Sequence, residues 1–268
     1  MKRVVLFRWI KVLLLLYGSI GIAFYYLQEK LLFRPQALPA YHEWKFDQHF
    51  EEVNLMVTPE SNLNLVQFKH TGDTLKGVVL YFHGNRKNIS WYAPYAKPFT
   101  QEGYEVWIMD YPGFGKSTGV FCEKTIYDWS LLIYKLARPR FQPNQIMIYG
   151  KSMGTGVAAQ LASVRDCKRL FLETPYYDFP NVLRPYMSIY PLHRIMRYQF
   201  PTWQYLQKVT APVTIFHGTS DWTVRYSNTE LLKPYLKSGD TVLTVKGGSH
   251  NDLFSFKEVL STITSELK

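Results

Sequence analysis

The period of apolar and polar positions changes several times along the chain, and the changes divide it. Val12–Leu27 is an uncharged, strongly apolar run of sixteen residues with no amphipathic period. Phe50–Val57 and Leu63–Lys69 partly alternate apolar with polar and are split by the turn signal Pro59-Glu60-Ser61-Asn62, which predicts an antiparallel hairpin. From residue 78, short apolar runs alternate with helical stretches. The runs are Val78–Phe82, Glu105–Asp110, Ile146–Tyr149, Arg169–Glu173, Val213–His217 and Thr241–Lys246. Helices are expected within 88–102 and near 124–137, 152–163, 227–236 and 251–266. Strands that are apolar on both faces and separated by helices predict an α/β fold with a mainly parallel sheet covered on both sides. Such sheets bind ligands beyond the carboxyl ends of their strands.

The first apolar run reads as a membrane anchor. Sixteen residues fall short of the ~20 that a spanning helix needs. Val4–Ile10 extends the run if Arg8 and Lys11 snorkel to the headgroups. Tyr25 and Tyr26 then sit at the far interface, where amphipathic rings are favoured. Basic residues precede the span, so the expectation is a single-pass signal-anchor with its amino end in the cytoplasm and the rest of the chain on the periplasmic or other extracytoplasmic side. The expected division is a tail and anchor over residues 1–30, a connector over 31–45 and a folded domain over 46–268. A cleaved signal peptide, with Gly21-Ile22-Ala23 near the cut, and a buried core helix are the competing readings.

Composition narrows the classes. A chain of 268 residues, 47% hydrophobic and 16% aromatic, holds one sizeable core and is neither disordered nor fibrous. The formal charge is +10, and Lys2, Arg3, Arg8 and Lys11 supply four of those charges before residue 12. With no dense Lys/Arg block elsewhere, nucleic acid is a poor fit as a partner; an anionic membrane surface or substrate fits better. Cys122 and Cys167 make neither a disulfide framework nor a metal site and are expected as free thiols at opposite edges of the sheet. No metal-ligand spacing occurs, and no cofactor is expected. Nothing fixes an oligomeric state.

The chemistry lies at the strand ends. Ile146–Tyr149 runs into Gly150-Lys151-Ser152-Met153-Gly154 and then a small-residue helix, so Ser152 occupies the apex of a sharp strand-to-helix turn. Val213–His217 ends in Gly218-Thr219-Ser220-Asp221, and the last strand ends in Gly247-Gly248-Ser249-His250. A serine hydroxyl is a weak nucleophile until a neighbouring base takes its proton. Histidine accepts and returns a proton near neutrality, and a carboxylate behind the imidazole fixes its tautomer. An oxyanion needs preorganised donors, for which the backbone N–H groups of Met153 and Asn85 are placed.

Together these motifs resemble the α/β-hydrolase superfamily over roughly residues 50–268. They are most similar to its membrane-anchored, serine aminopeptidase-like branch with a small or absent lid. The motifs are Leu31-Leu32-Phe33-Arg34-Pro35, His83-Gly84-Asn85, Asp110-Tyr111-Pro112-Gly113-Phe114-Gly115-Lys116-Ser117, Gly150-Lys151-Ser152-Met153-Gly154, His217-Gly218-Thr219-Ser220-Asp221 and Gly248-Ser249-His250. The resemblance implies hydrolysis of carboxylic esters or thioesters, on a small-molecule or acyl-lipid substrate, with Ser152, Asp221 and His250 as the triad. A peptidase of the same fold and a catalytically silent, membrane-tethered binding protein are the alternatives, and Glu173 is the candidate carboxylate for a substrate amine in the peptidase case.

Several residues carry two readings. Relatives commonly have small residues after His-Gly-Asn, whereas this chain has Arg86-Lys87: the cations face solvent, or they sit beside the oxyanion loop and favour anionic substrates. His83 is expected to tie that loop to nearby backbone, and His83, Gly84, Arg86 and Ser117 are expected to line the site. His217 is read as structural. Asp178 rivals Asp221 as the partner of His250. Asp110 is expected to brace the glycine-rich loop. Residues 178–206, rich in Pro, Tyr, Met and Phe, form either a small cap over the site that binds an acyl chain and contacts lipid, or a packed helical excursion with a solvated basic face.

Overall fold

A computed structural model describes residues 2–268, with side chains from Val5 onward. The side chains of Lys2 and Arg3, part of the basic tail, lie outside the described residues. Eight strands form one sheet: β1 (Phe50–Thr58), β2 (Ser61–Phe68), β3 (Gly77–Phe82), β4 (Tyr104–Met109), β5 (Ile146–Lys151), β6 (Arg169–Glu173), β7 (Val213–Gly218) and β8 (Thr241–Val245). Their order across the sheet is β8-β7-β6-β5-β3-β4-β2-β1. β1 and β2 make the expected hairpin, β2 runs antiparallel to β4, and β4, β3, β5, β6, β7 and β8 are parallel to one another. The order reverses between β3 and β5, which puts a crevice at their carboxyl ends.

Burial explains the apolar runs. Every residue of β3, β4, β5 and β7 is buried, because helices cover both faces. On one face lie α2 (Glu123–Ala137) and α3 (Met153–Val164). The buried positions of α2 are Ile126, Trp129, Ser130, Ile133, Tyr134 and Ala137, a stripe of helical period. The other face is covered by the short helical turns between Ile89 and Thr100 and by the last helix, α4 (Lys257–Leu267), through Val259, Ile263 and Leu267. Cys122 and Cys167 are both unpaired. Burial pushes the Cys167 thiol up to about 12, so that sulfur is an inert core group.

The amino-terminal helix, α1, runs from Lys2 to Leu32, past the boundary expected at residue 30. Val5–Leu32 has the length and composition to cross a membrane. Its first part stands clear of the protein, with Leu13, Leu14 and Leu15 more than 60% exposed. Its second part is docked on residues 178–206. The Tyr17 ring stacks on Tyr190 at 4.5 Å, Gln28 donates to the Ile195 carbonyl and accepts from Arg197 N–H, and Glu29 accepts from the Tyr198 hydroxyl. The connector carries a short strand of its own: Arg34–Pro35 pairs in parallel with Arg86–Lys87.

Candidate active site

The turn between β5 and α3 depends on close backbone contacts. Ser152 sits at φ +51° and ψ −120°, a region that L residues occupy only under constraint. A Cβ on Gly154 would come within 1.9 Å of the Phe82 carbonyl oxygen, and one on Gly150 within 2.4 Å of the Gly154 carbonyl oxygen. Only glycine fits at either place, so strand and helix can meet at an acute angle and thrust the serine out. The Ser152 N–H donates to the Glu173 carbonyl at 2.9 Å, tying the turn to β6.

Ser152, Asp221 and His250 come together. Ser152 Oγ lies 2.9 Å from His250 Nε2, and His250 Nδ1 lies 2.7 Å from Asp221 Oδ2. Asp221 Oδ1 accepts from the Thr223 and Val224 N–H groups at 2.8 and 2.9 Å. Burial works to raise the Asp221 carboxyl. The imidazoles of His217 and His250, the charge of His250 and the Val224 N–H outweigh it, and the carboxyl is held well below the usual carboxylate range. The loops that carry Asp221 and His250 are stitched together: Ser220 N–H donates to the Gly248 carbonyl, and Thr219 N–H to that of Val245.

Asn85 and Met153 flank the same serine. Met153 opens α3, so its N–H has no intrahelical acceptor. Among the described residues neither the Met153 nor the Asn85 N–H is spent on a protein acceptor. One side of the cleft at Ser152 is lined by Gly84, Asn85, Arg86, Lys87 and Trp91. Its other side is an apolar hollow formed by Leu32, Met153, Tyr176, Phe179, Val182 and Leu183. Residues 178–206 fold as three short helices, Phe179–Leu183, Leu192–Ile195 and Thr202–Leu206, and the first of these supplies part of the hollow.

The remaining predicted residues separate. Gly84 and Arg86 line the cleft, Arg86 with its side chain exposed beside the loop. His83 is fully buried beneath the loop and lines nothing: Nδ1 donates to the Gly84 carbonyl at 2.8 Å, and Nε2 faces Asp110 Oδ1 at 3.2 Å. Ser117 is a correction. Its hydroxyl is buried away from the cleft, donating to the Asp110 carbonyl and accepting from Asn64 N–H, so a glycine-rich loop that looked like a site wall is a brace against β2. Asp110 accepts from Ile89 N–H, and burial raises its carboxyl against the opposing pull of His83. Asp178, the rival acid, caps Phe179–Leu183 by accepting from Asn181 N–H and does not approach His250. His217 is buried, between Thr229 Oγ1 and the Val224 carbonyl, with Nε2 3.4 Å from Asp221 Oδ2.

One pair escaped the sequence reading. Lys151, 1% exposed, is ion-paired with Glu173, which is fully buried, and donates to the His250 carbonyl at 3.0 Å. Tyr149 donates to the other Glu173 oxygen at 2.8 Å. Glu173 is therefore spent inside the sheet and faces no pocket, which removes it as a receptor for a substrate amine. The signal was present in the sequence as a lysine before the serine and a glutamate ending the next strand. Among the described residues no group of three or more His, Cys, Asp or Glu side chains is arranged to hold a metal ion.

Comparison with known proteins agrees with this architecture. Alpha/beta hydrolase domain-containing protein 17C of Mus musculus is 25% identical over 232 residues, covering 82% of this chain and 70% of the relative. The Xenopus tropicalis form is 28% identical over 193 residues, covering 69% and 59%. Among solved structures, an esterase from Pyrococcus furiosus superposes with a TM-score of 0.69 at 17% identity, covering 88% of this chain and 97% of the other. A soluble variant of monoglyceride lipase from Saccharomyces cerevisiae gives 0.62 at 15% identity, covering 86% and 98%. Both likenesses establish the α/β-hydrolase fold. Residues 73–207, half of the chain, match the family described as serine aminopeptidase, S33, and the protein is an α/β hydrolase of that family.

Proposed function

We propose that the protein is a serine hydrolase that cleaves carboxylic esters or thioesters through an acyl-enzyme. The observation that carries this reading is the unbroken chain from Ser152 Oγ through both nitrogens of His250 to Asp221. In the first half-reaction the Ser152 oxygen bonds to the substrate carbonyl carbon while His250 Nε2 takes the hydroxyl proton. The tetrahedral oxyanion receives the unspent N–H groups of Asn85 and Met153. His250 returns the proton to the departing alkoxide or thiolate, and water then repeats the sequence on the acyl-serine. The apolar hollow accommodates the acyl portion, and the side rimmed by Arg86 and Lys87 receives the leaving group. The esterase and lipase among the structural neighbours point the same way. The peptidase alternative loses its candidate amine receptor with the burial of Glu173.

A fluorophosphonate tests the reading directly, since Ser152 Oγ displaces fluoride from phosphorus only when activated. The wild-type protein is expected to label and Ser152→Ala to be blank; equal labelling of both would move the nucleophile elsewhere, and no labelling of either would leave a binding protein.

The anchor reading extends to topology. With Lys2, Arg3, Arg8 and Lys11 retained in the cytoplasm, the folded domain faces the opposite side. Protease added outside sealed, right-side-out vesicles is then expected to digest the domain. A fully protected domain would reverse the orientation.

A further inference from the structure

We propose that the segment leaving the anchor helix, Leu32–Gln36, is a strap that holds the oxyanion loop in register, so that its residues are positioning residues for chemistry at Ser152. The inference rests on the reading of Ser152 as the nucleophile and adds a part that the reading does not require.

The loop after β3 is held at its two ends by His83 and Ile89, which meet Asp110, and at the Arg86 carbonyl, which accepts from the Tyr92 hydroxyl. β3 ends at Phe82, and Asn85–Asn88 are bracketed by the strap at nearly every residue. The Asn85 side-chain amide donates to the Leu32 carbonyl, one of the carbonyls left unsatisfied at the end of α1. Arg34 N–H donates to the Asn85 carbonyl at 2.9 Å, and Gln36 N–H to that of Lys87 at 3.1 Å. Asn88 Nδ2 completes the set by donating to the Gln36 carbonyl at 3.0 Å. Lys87, at φ +67°, is held in the left-handed region that non-glycine residues avoid, as an over-determined loop permits.

Asn85 is thus fixed through its side chain and its carbonyl, and its N–H alone is left free toward Ser152. The strap is pinned in turn by Phe33, 6% exposed, whose ring packs on Phe121 at 4.4 Å and Tyr198 at 4.8 Å. Leu32, the last residue of the helix, also lines the apolar hollow beside Ser152. A donor displaced by about 1 Å forfeits on the order of 10²-fold in rate, so a strap of this kind governs turnover without touching substrate through Phe33.

The test uses the full-length protein in detergent micelles, with p-nitrophenyl butyrate as substrate and butylboronic acid as probe. The boronic acid adds to Ser152 Oγ and forms an anionic tetrahedral adduct, so its affinity reports the oxyanion site, whereas KM reports ground-state binding. Asn85→Ala keeps the backbone N–H and removes the tie to Leu32; Phe33→Ala unpins the strap from a distance. Both are expected to lose about ten- to hundredfold in kcat and in boronic acid affinity, with KM within about twofold. Phe33→Leu is expected to retain most of both, and Leu15→Ala, on the free part of α1, all of both. If Phe33→Ala fails to fold, Asn85→Ala decides alone. Wild-type kcat and boronic acid affinity in the folded variants would overturn the strap, as would equal losses in kcat, 1/KM and thermal midpoint. A wild-type protein that binds no boronic acid would overturn the hydrolase reading and the strap with it.

Discussion

Asp221→Asn is expected to lower kcat about 10⁴-fold, or about 5.4 kcal/mol in activation free energy, with KM nearly unchanged. The carboxylate accepts the Nδ1 proton of His250 at 2.7 Å, which leaves Nε2 unprotonated and aimed at Ser152. An asparagine presents an N–H there instead, the imidazole proton moves to Nε2, and the base can no longer take the serine proton. The amide oxygen of the substituted side chain still accepts from the Thr223 and Val224 N–H groups, as Asp221 Oδ1 does, so the loop keeps its shape. A titration separates this loss from misfolding. Asp221 is held below its usual range in the folded protein, so its ionisation stabilises the native state above the ordinary carboxylate value of ~4, and that contribution is lost as pH falls through the lower folded value. Urea midpoints of the wild type should therefore decline more steeply below pH ~4 than those of Asp221→Asn. Parallel declines, or wild-type turnover in the variant, would remove Asp221 from the site.

Lys151→Met is expected to destabilise the fold by about 3–5 kcal/mol, because it strands the Glu173 carboxylate in the sheet with Tyr149 as its remaining side-chain partner. It should also lower kcat, since the His250 carbonyl loses the ammonium that holds the histidine loop against β5. The double variant Lys151→Met/Glu173→Gln distinguishes the two effects. Glutamine keeps an acceptor for Tyr149 and carries no charge, so most of the stability should return while turnover stays low. Full recovery of both would confine Lys151 to a role in stability, and thermal midpoints with kcat measured on the same preparations decide the question.

Those two side chains mark where the sequence stopped being readable. The strands from β3 to β7 were legible because they are buried on both faces almost throughout and read as short apolar runs, and β8, a partly exposed edge strand, because Val242, Leu243 and Val245 still make an apolar run. Ser152, Asp221 and His250 were legible because each follows the carboxyl end of such a run. The Lys151–Glu173 pair depends on β5 and β6 being neighbours in register, with Lys151 directly opposite Glu173, and no local pattern encodes a sheet order. Ser117 was misread for a related reason: its partners, Asn64 in β2 and Asp110 just past the end of β4, are brought together by a strand adjacency that tertiary packing sets. The docking of α1 was equally hidden, since apolar composition describes a helix that can leave water but says nothing of Gln28 and Glu29 meeting backbone and hydroxyl groups near residue 197.

That docking sets how deep the enzyme sits. Of the apolar span Val5–Leu32, only Val5–Leu16 precedes the contact of Tyr17 with Tyr190, and at 1.5 Å per residue these twelve positions reach about 18 Å, well under the ~30 Å of a hydrocarbon core. A bilayer crossed by this helix must therefore also take in the turn that carries Tyr186 and Ile189, whose side chains are 64% and 72% exposed. In such a bilayer the protein rides low, like a float weighted to its waterline, with the hollow that Leu32 lines at the far end of the same helix.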